Sequence, residues 1–116
     1  MGWLDKKRNK YGAVGVRYDG YYFDSTGEGG RYLELKLIEK SGAIRNLKIH
    51  PRYLIHINGV DIGYYEADFE YIELPTTLVV EDFKGKMTDF SAWKIKEFKA
   101  LYPAYDFRLI KKETRR

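Results

Sequence analysis

The chain has 116 residues, 33% of them charged and 44% hydrophobic, with no cysteine. That length supports one core rather than two, and the missing thiols exclude a disulfide framework and a thiolate zinc site. No apolar run reaches the roughly 20 residues that a membrane span needs, and MGWLDKKRNK lacks the apolar stretch of a signal peptide. A soluble, cytoplasmic protein with no membrane partner is expected.

The formal net charge of +4 is unevenly placed. Residues 1–10 form a basic arm, with Lys6, Lys7, Arg8 and Lys10 against Asp5. Residues 108–116, which include the basic tail 111–116, carry five cations against Glu113, so the body between the two ends has a net charge of −3. Basic ends around a mildly acidic body fit a nucleic-acid binder whose arms neutralise phosphates while carboxylates hold a cation. Solvated, frayed tails give the same pattern.

After the arm, Tyr18 and Tyr21 to Phe23 flank Asp19-Gly20, a dipeptide suited to a tight hairpin turn. Ser25 followed by Glu28 predicts the start of a helix over about 26–40, and Gly42 its end. The glycines at 27, 29 and 30 disfavour a first helical turn. Either the helix starts later or glycine admits a phosphate backbone. Residues 43–57 alternate apolar and polar positions, interrupted by Pro51, and Asn58-Gly59 turns that strand into a second, which runs through Asp68 to about Glu73. Pro75-Thr76-Thr77 is a further turn, and 78–84 is a third strand whose Leu78, Val79, Val80 and Phe83 suit a central position. A helix begins near Thr88 or Ser91, with Ile95, Phe98, Leu101 and Tyr102 on one stripe, and stops at Pro103. Residues 105–110 alternate as a last strand, parallel to the Asp82 strand because a helical crossover joins them.

Strand parity sorts the acids. In VVEDFKG, Val80, Asp82 and Lys84 share one face, while Val79, Glu81 and Phe83 share the other. In YYEADFEYI, Glu66, Asp68 and Glu70 oppose Ala67, Phe69 and Tyr71. Asp68 can therefore meet Asp82 across neighbouring strands, and Glu81 is the wrong acid. Two aspartates suit Mg²⁺, which takes one or two carboxylates plus a substrate phosphate, and Lys84 can offset charge on that phosphate. Glu28 shares a helical stripe with Tyr32 and Leu35, so it points inward; its place in the Ser25-x-x-Glu28 capping box accounts for it equally. His50 and His56 share strand parity but lie roughly 20 Å apart on a continuous strand, too far to bind one metal. The aromatics fit core packing or stacking on unpaired bases. Lys94 and Lys96 fit phosphate contacts or a solvated helix face.

An αβββαβ order with an acid on the first helix, an aspartate on the second strand and Asp-x-Lys on the third resembles the PD-(D/E)xK nuclease superfamily. More narrowly, NKYGAVGVRYDGYYFDSTGEGGRYLEL, YYEADFEYIE and VVEDFKGKMTDFSAWKIKEFKALYP are similar to a family of small phage and prophage proteins thought to be endonucleases of this type, over Asn9 to about Ile110. The resemblance implies an α/β restriction-endonuclease-like core, a mixed sheet flanked by helices, in a single domain spanning 1–116. It makes Glu28 the helix acid, Asp68 the metal-binding aspartate, and Asp82 and Lys84 the final acid and lysine. Ala67 stands where many relatives have proline. The expected activity is Mg²⁺- or Mn²⁺-dependent DNA cleavage, with metal ligands from Asp68, Asp82, the Phe83 carbonyl and Glu28. The substrate implied is branched DNA of the Holliday-junction kind, cut by a homodimer. DNA contacts are expected from Lys6, Lys7, Arg8, Lys10, Arg31, Lys86, Lys94 and Lys96. A non-catalytic nucleic-acid-binding module on the same fold, or a purely structural phage or host-interaction protein, are the alternatives.

Overall fold

The computed structural model describes residues 14–111. Strands β1 (Val16–Tyr18) and β2 (Tyr21–Phe23) form the expected hairpin, with Asp19 and Gly20 at φ 53° and 83°, as a two-residue primed turn requires. Helix α1 follows (Thr26–Ser41). The Ser25 hydroxyl accepts the Glu28 N–H at 3.1 Å, and Gly42, at φ 91°, closes the helix by donating its N–H to the Glu39 carbonyl.

The next two segments depart from expectation. The long hairpin is divided into β3 (Ile44–Ile49) and β4 (Arg52–Ile57) on one arm, and β5 (Val60–Glu66) and β6 (Phe69–Glu73) on the other. Sequence reading expected an unbroken strand through Asp68. It breaks because Pro51, opposite the break, has no N–H with which to extend the ladder. Two bonds bridge this elbow: the His50 N–H donates to the Asp68 carbonyl at 2.9 Å, and the Ala67 N–H to the Pro51 carbonyl at 3.0 Å. Beyond it β4 and β5 form a separate antiparallel ribbon, closed by Asn58 and Gly59 at φ 52° and 77°.

Inside the elbow, β3 and β6 join β7 (Thr77–Lys84) and β8 (Asp106–Lys111) in a four-stranded sheet of order β3-β6-β7-β8. The first two pairings are antiparallel and β7 with β8 is parallel, because helix α2 (Asp89–Leu101) crosses between them. With the ribbon set aside, α1, β3, β6, β7, α2 and β8 give the αβββαβ order of a mixed α/β sheet flanked by helices.

Each sheet face has its own core. Phe23, Tyr32 and Leu35 meet Phe69, Tyr71 and Val79 on the α1 side; Ile95 and Phe98 of α2 meet Tyr53 and Tyr65 of the ribbon, with Ala67 and Val80, on the other. Val79 and Val80 are both fully buried, so β7 is the central strand that its apolar run predicts. Of the expected stripe of α2, Leu101 is exposed, while Tyr102 packs against the core and donates its hydroxyl to the Leu54 carbonyl of the ribbon. Among the described residues no helix is long and apolar enough to cross a membrane.

Candidate active site

The alternation read for β7 holds residue by residue. On the α1 face, Glu81 is fully buried and accepts a bidentate pair of bonds from Arg31, at 2.8 and 2.6 Å, and one from the Tyr71 hydroxyl. Arg31 also pairs with Glu34 at 2.8 Å. Arg31, expected as a DNA contact, is held here by Glu81: the guanidinium neutralises a buried carboxylate, which costs heavily if left alone. On the α2 face, Val80, Asp82 and Lys84 follow one another, and the Lys84 ammonium lies 3.3 Å from Asp82 Oδ2.

The parity read for the Asp68 strand fails at one residue. Ala67 packs on the α2 side, yet Phe69 and Tyr71 pack on the α1 side, so the expected grouping of all three on one face is broken. The elbow supplies the extra rotation. Asp68 is freed from strict alternation, and its Oδ2 accepts the Phe83 N–H at 2.6 Å. There its carboxyl is crowded by the charges of Glu28 and Asp82.

Glu28 reaches the same place from α1, and the glycines around it explain how. A Cβ on Gly27 would lie 2.4 Å from the Phe83 ring, and one on Gly29 would lie 2.5 Å from Val16. These two positions bring the first helical turn close against β7 and the β1–β2 hairpin. Gly27 and Gly29 thus admit protein, and the helix does not start late. Ser25 caps through the Glu28 N–H, while the Glu28 carboxylate turns inward to His50 Nε2 at 3.0 Å.

His50 is the residue that sequence reasoning passed over. It sits at the elbow with φ 54°, in the left-handed region that L-residues enter at a cost of about 1–2 kcal/mol. One ligand atom each from Glu28, His50 and Asp68 lie within 4.8 Å of one another. Pro51 was the available signal, because a strand broken there removes the straight spacing by which His50 was judged. Tyr65 was also missed; its hydroxyl donates to Asp82 Oδ2 at 2.6 Å and orients that carboxylate.

Glu28, Asp68, Asp82 and Lys84 line a cleft with a volume of about 770 Å³, in which Asp24, Glu28, Glu66, Asp68 and Asp82 outnumber the cations Lys84 and Lys86. The electrostatics follow. Burial first, then Glu28 and Asp82, push the Asp68 carboxyl far above the carboxylate range, with the Phe83 N–H opposing. Burial and Glu28 also raise Asp24, and the bond to Glu28 raises His50 against its partial burial. Such a crowded, buried carboxyl favours a bound cation as its counter-charge. Hard oxygens with one imidazole nitrogen suit Mg²⁺ and, better, Mn²⁺.

Lys94 donates to the Tyr64 carbonyl at 2.6 Å, and Lys96 is exposed on α2. Lys6, Lys7, Arg8 and Lys10 lie outside the described residues.

A family model described as "Protein of unknown function (DUF1064)" matches residues 8–115. The chain belongs to that family. No curated protein and no solved structure matches it.

Proposed function

We propose that the cleft is the centre of a divalent-cation-dependent DNA endonuclease. The observation that carries this reading is the convergence of Glu28 from α1, Asp68 from the elbow, and Asp82 and Lys84 from β7 on one acidic cleft. Glu28, His50, Asp68 and Asp82 would hold the cation, with the Phe83 carbonyl as a further oxygen. When bound, Mg²⁺ or Mn²⁺ supplies Lewis acidity toward the scissile phosphate and offsets its developing charge.

The chain's own residues do the rest. The Tyr65 hydroxyl and the Phe83 N–H fix the two aspartates, so that little reorganisation is left for the reaction. Lys84 keeps its ammonium against Asp82 and donates toward a phosphate oxygen entering the cleft. Lys86 extends positive charge along the wall. Branched DNA is the substrate we favour, and since one described cleft serves one strand, paired cuts call for a two-fold dimer.

The test is incubation of the protein with a four-way junction, a linear duplex and a single strand, each in Mg²⁺, Mn²⁺ or EDTA. Cation-dependent cleavage is expected, lost in Asp82→Asn and in Lys84→Ala with binding retained, and His50→Asn should weaken Mn²⁺ support more than Mg²⁺ support. DNA binding without cleavage under any cation would leave a non-catalytic binding module.

A further inference from the structure

The surface beside the cleft is unusual for its aromatics. Phe90 and Trp93 on the first turns of α2 are 66% and 63% exposed, and Tyr64 of the ribbon is 45% exposed. α2 buries Ile95 and Phe98 on its inner side, so Phe90 and Trp93, three residues apart, share a face that the fold leaves uncovered. Single exposed apolar residues need no explanation, whereas large rings grouped together do.

Two of these rings, Tyr64 and Phe90, are interleaved with cations and connected to the cleft by a series of contacts. Glu66 lines the cleft and binds Arg52 at 3.1 Å. Arg52 lies 4.5 Å from the centroid of the Tyr64 ring. Lys94 donates to the Tyr64 carbonyl at 2.6 Å and holds its ammonium 5.7 Å from the Phe90 centroid. From the other side, Lys86 lines the cleft four residues before Phe90.

We infer that Tyr64, Phe90 and Trp93, with Arg52 and Lys94, form a stacking surface for unpaired nucleobases flanking the phosphate in the cleft. This inference rests on the proposed function and narrows its substrate class. Aromatic faces bind bases of any identity, but only bases whose own faces are free. A continuous duplex hides them. The ligand is therefore a single strand, or the unstacked nucleotides of a branch point or flap, rather than regular double helix. Alternating rings and cations also argue against a second copy of the chain on this face, because lysine is depleted in protein interfaces while cations beside stacking rings are the rule for single-strand binding.

The test is run in EDTA, so that it reads binding alone. A Trp3→Phe background leaves Trp93 as the sole tryptophan emitter, and the probes are an oligothymidylate and a hairpin duplex of matched length. The oligothymidylate should quench Trp93 and bind more tightly than the duplex. In labelled-oligonucleotide titrations, Phe90→Ala and Trp93→Ala should each weaken single-strand binding by about tenfold, as loss of one stacked base implies, with duplex binding unchanged and Trp93→Phe near wild type. Equal losses on both probes, or no loss in either variant, overturns the inference. So does a concentration-dependent dimer that Trp93→Ala dissolves, which assigns the face to a second copy. If the stacking variants fail while the cleft still cleaves with Mn²⁺, this inference falls and the nuclease reading stands. Stacking without cleavage upholds this inference and removes the nuclease reading.

Discussion

Asp68→Asn offers the most direct probe of the cleft's electrostatics. The Asp68 carboxyl is crowded by burial and by Glu28 and Asp82, and its pKa is raised accordingly. The Asp68 carboxyl therefore retains a proton that the unfolded chain releases near pH 4. For a carboxyl raised on folding, the native state binds more protons than the unfolded state, so its stability is fully present below the unfolded pKa and is lost as pH rises toward the folded value. The slope is about −1.4 kcal/mol per pH unit for one proton, or roughly 3 kcal/mol between about pH 6 and about pH 8. Asparagine reproduces the protonated form, accepting from the Phe83 N–H and donating toward Asp82, but cannot ionise. His50, also raised and by Glu28 first, contributes a slope of the same sign to both proteins and cancels in their difference. Urea denaturation in EDTA across this range should show the stability gap between Asp68→Asn and wild type widening in favour of the variant by that amount. In wild type, saturating Mn²⁺ should displace the proton, so that stability stops falling and apparent cation affinity gains about tenfold per pH unit. A stability gap independent of pH would mean that Asp68 ionises as it does in water, and the reasoning from crowding would be refuted.

Arg31→Ala should destabilise the protein by about 3–5 kcal/mol, since it strands the buried Glu81. DNA affinity, measured by anisotropy on the folded variant, should not change; lost affinity at unchanged stability would make Arg31 a phosphate contact. Gly27→Ala should cost about 1–3 kcal/mol by overpacking against the Phe83 ring, and should slow cleavage because Glu28 moves with that turn. Gly30→Ala, which meets open space, should instead stabilise by about 0.5–1 kcal/mol through helix propensity. Thermal melts that rank the two substitutions the other way would contradict the close approach described for the helix.

Local signals were enough to read much of this fold. Ser25 and Gly42 bound α1 because capping chemistry is a property of a few adjacent residues. Val79 to Lys84 could be assigned to faces because period-2 alternation survives wherever a strand is regular. The elbow could not be read, although Pro51 marked it. A missing N–H says where a ladder stops, but not that the chain beyond will bend into a separate ribbon over α2. That choice depends on Tyr53 and Tyr65 finding Phe98, a residue more than thirty positions away. His50 and Tyr65 were lost to the reading for that reason, since His50 meets Glu28 at the elbow and Tyr65 reaches Asp82 from the ribbon beyond it. Gly27 was misjudged in a different way: propensity counts what a glycine costs the helix, while its benefit lies in the distant ring of Phe83.

The cleft sits where the regularity of the sheet fails, and the failure does several things at once. Pro51 ends one ladder, and the bonds from His50 to Asp68 and from Ala67 to Pro51 hold the chain across the gap. Because the ribbon then leans on α2, the Tyr65 hydroxyl comes to rest on Asp82. Because Asp68 leaves the alternation, its carboxyl reaches the Phe83 N–H beside the same Asp82. Because His50 takes a left-handed backbone, its imidazole meets Glu28 as that residue arrives from α1. Strain of this kind persists only where surrounding contacts over-determine it, and it collects at working sites. A straight hairpin would have kept its ladder bonds and spared His50 its strained backbone, but it would have left Asp68 in alternation and Tyr65 away from Asp82. The sequence gives up local regularity at the point where Glu28 from α1 and His50 and Asp68 from the two sides of the elbow bring ligand atoms within 4.8 Å of one another, with Asp82 of β7 beside Asp68.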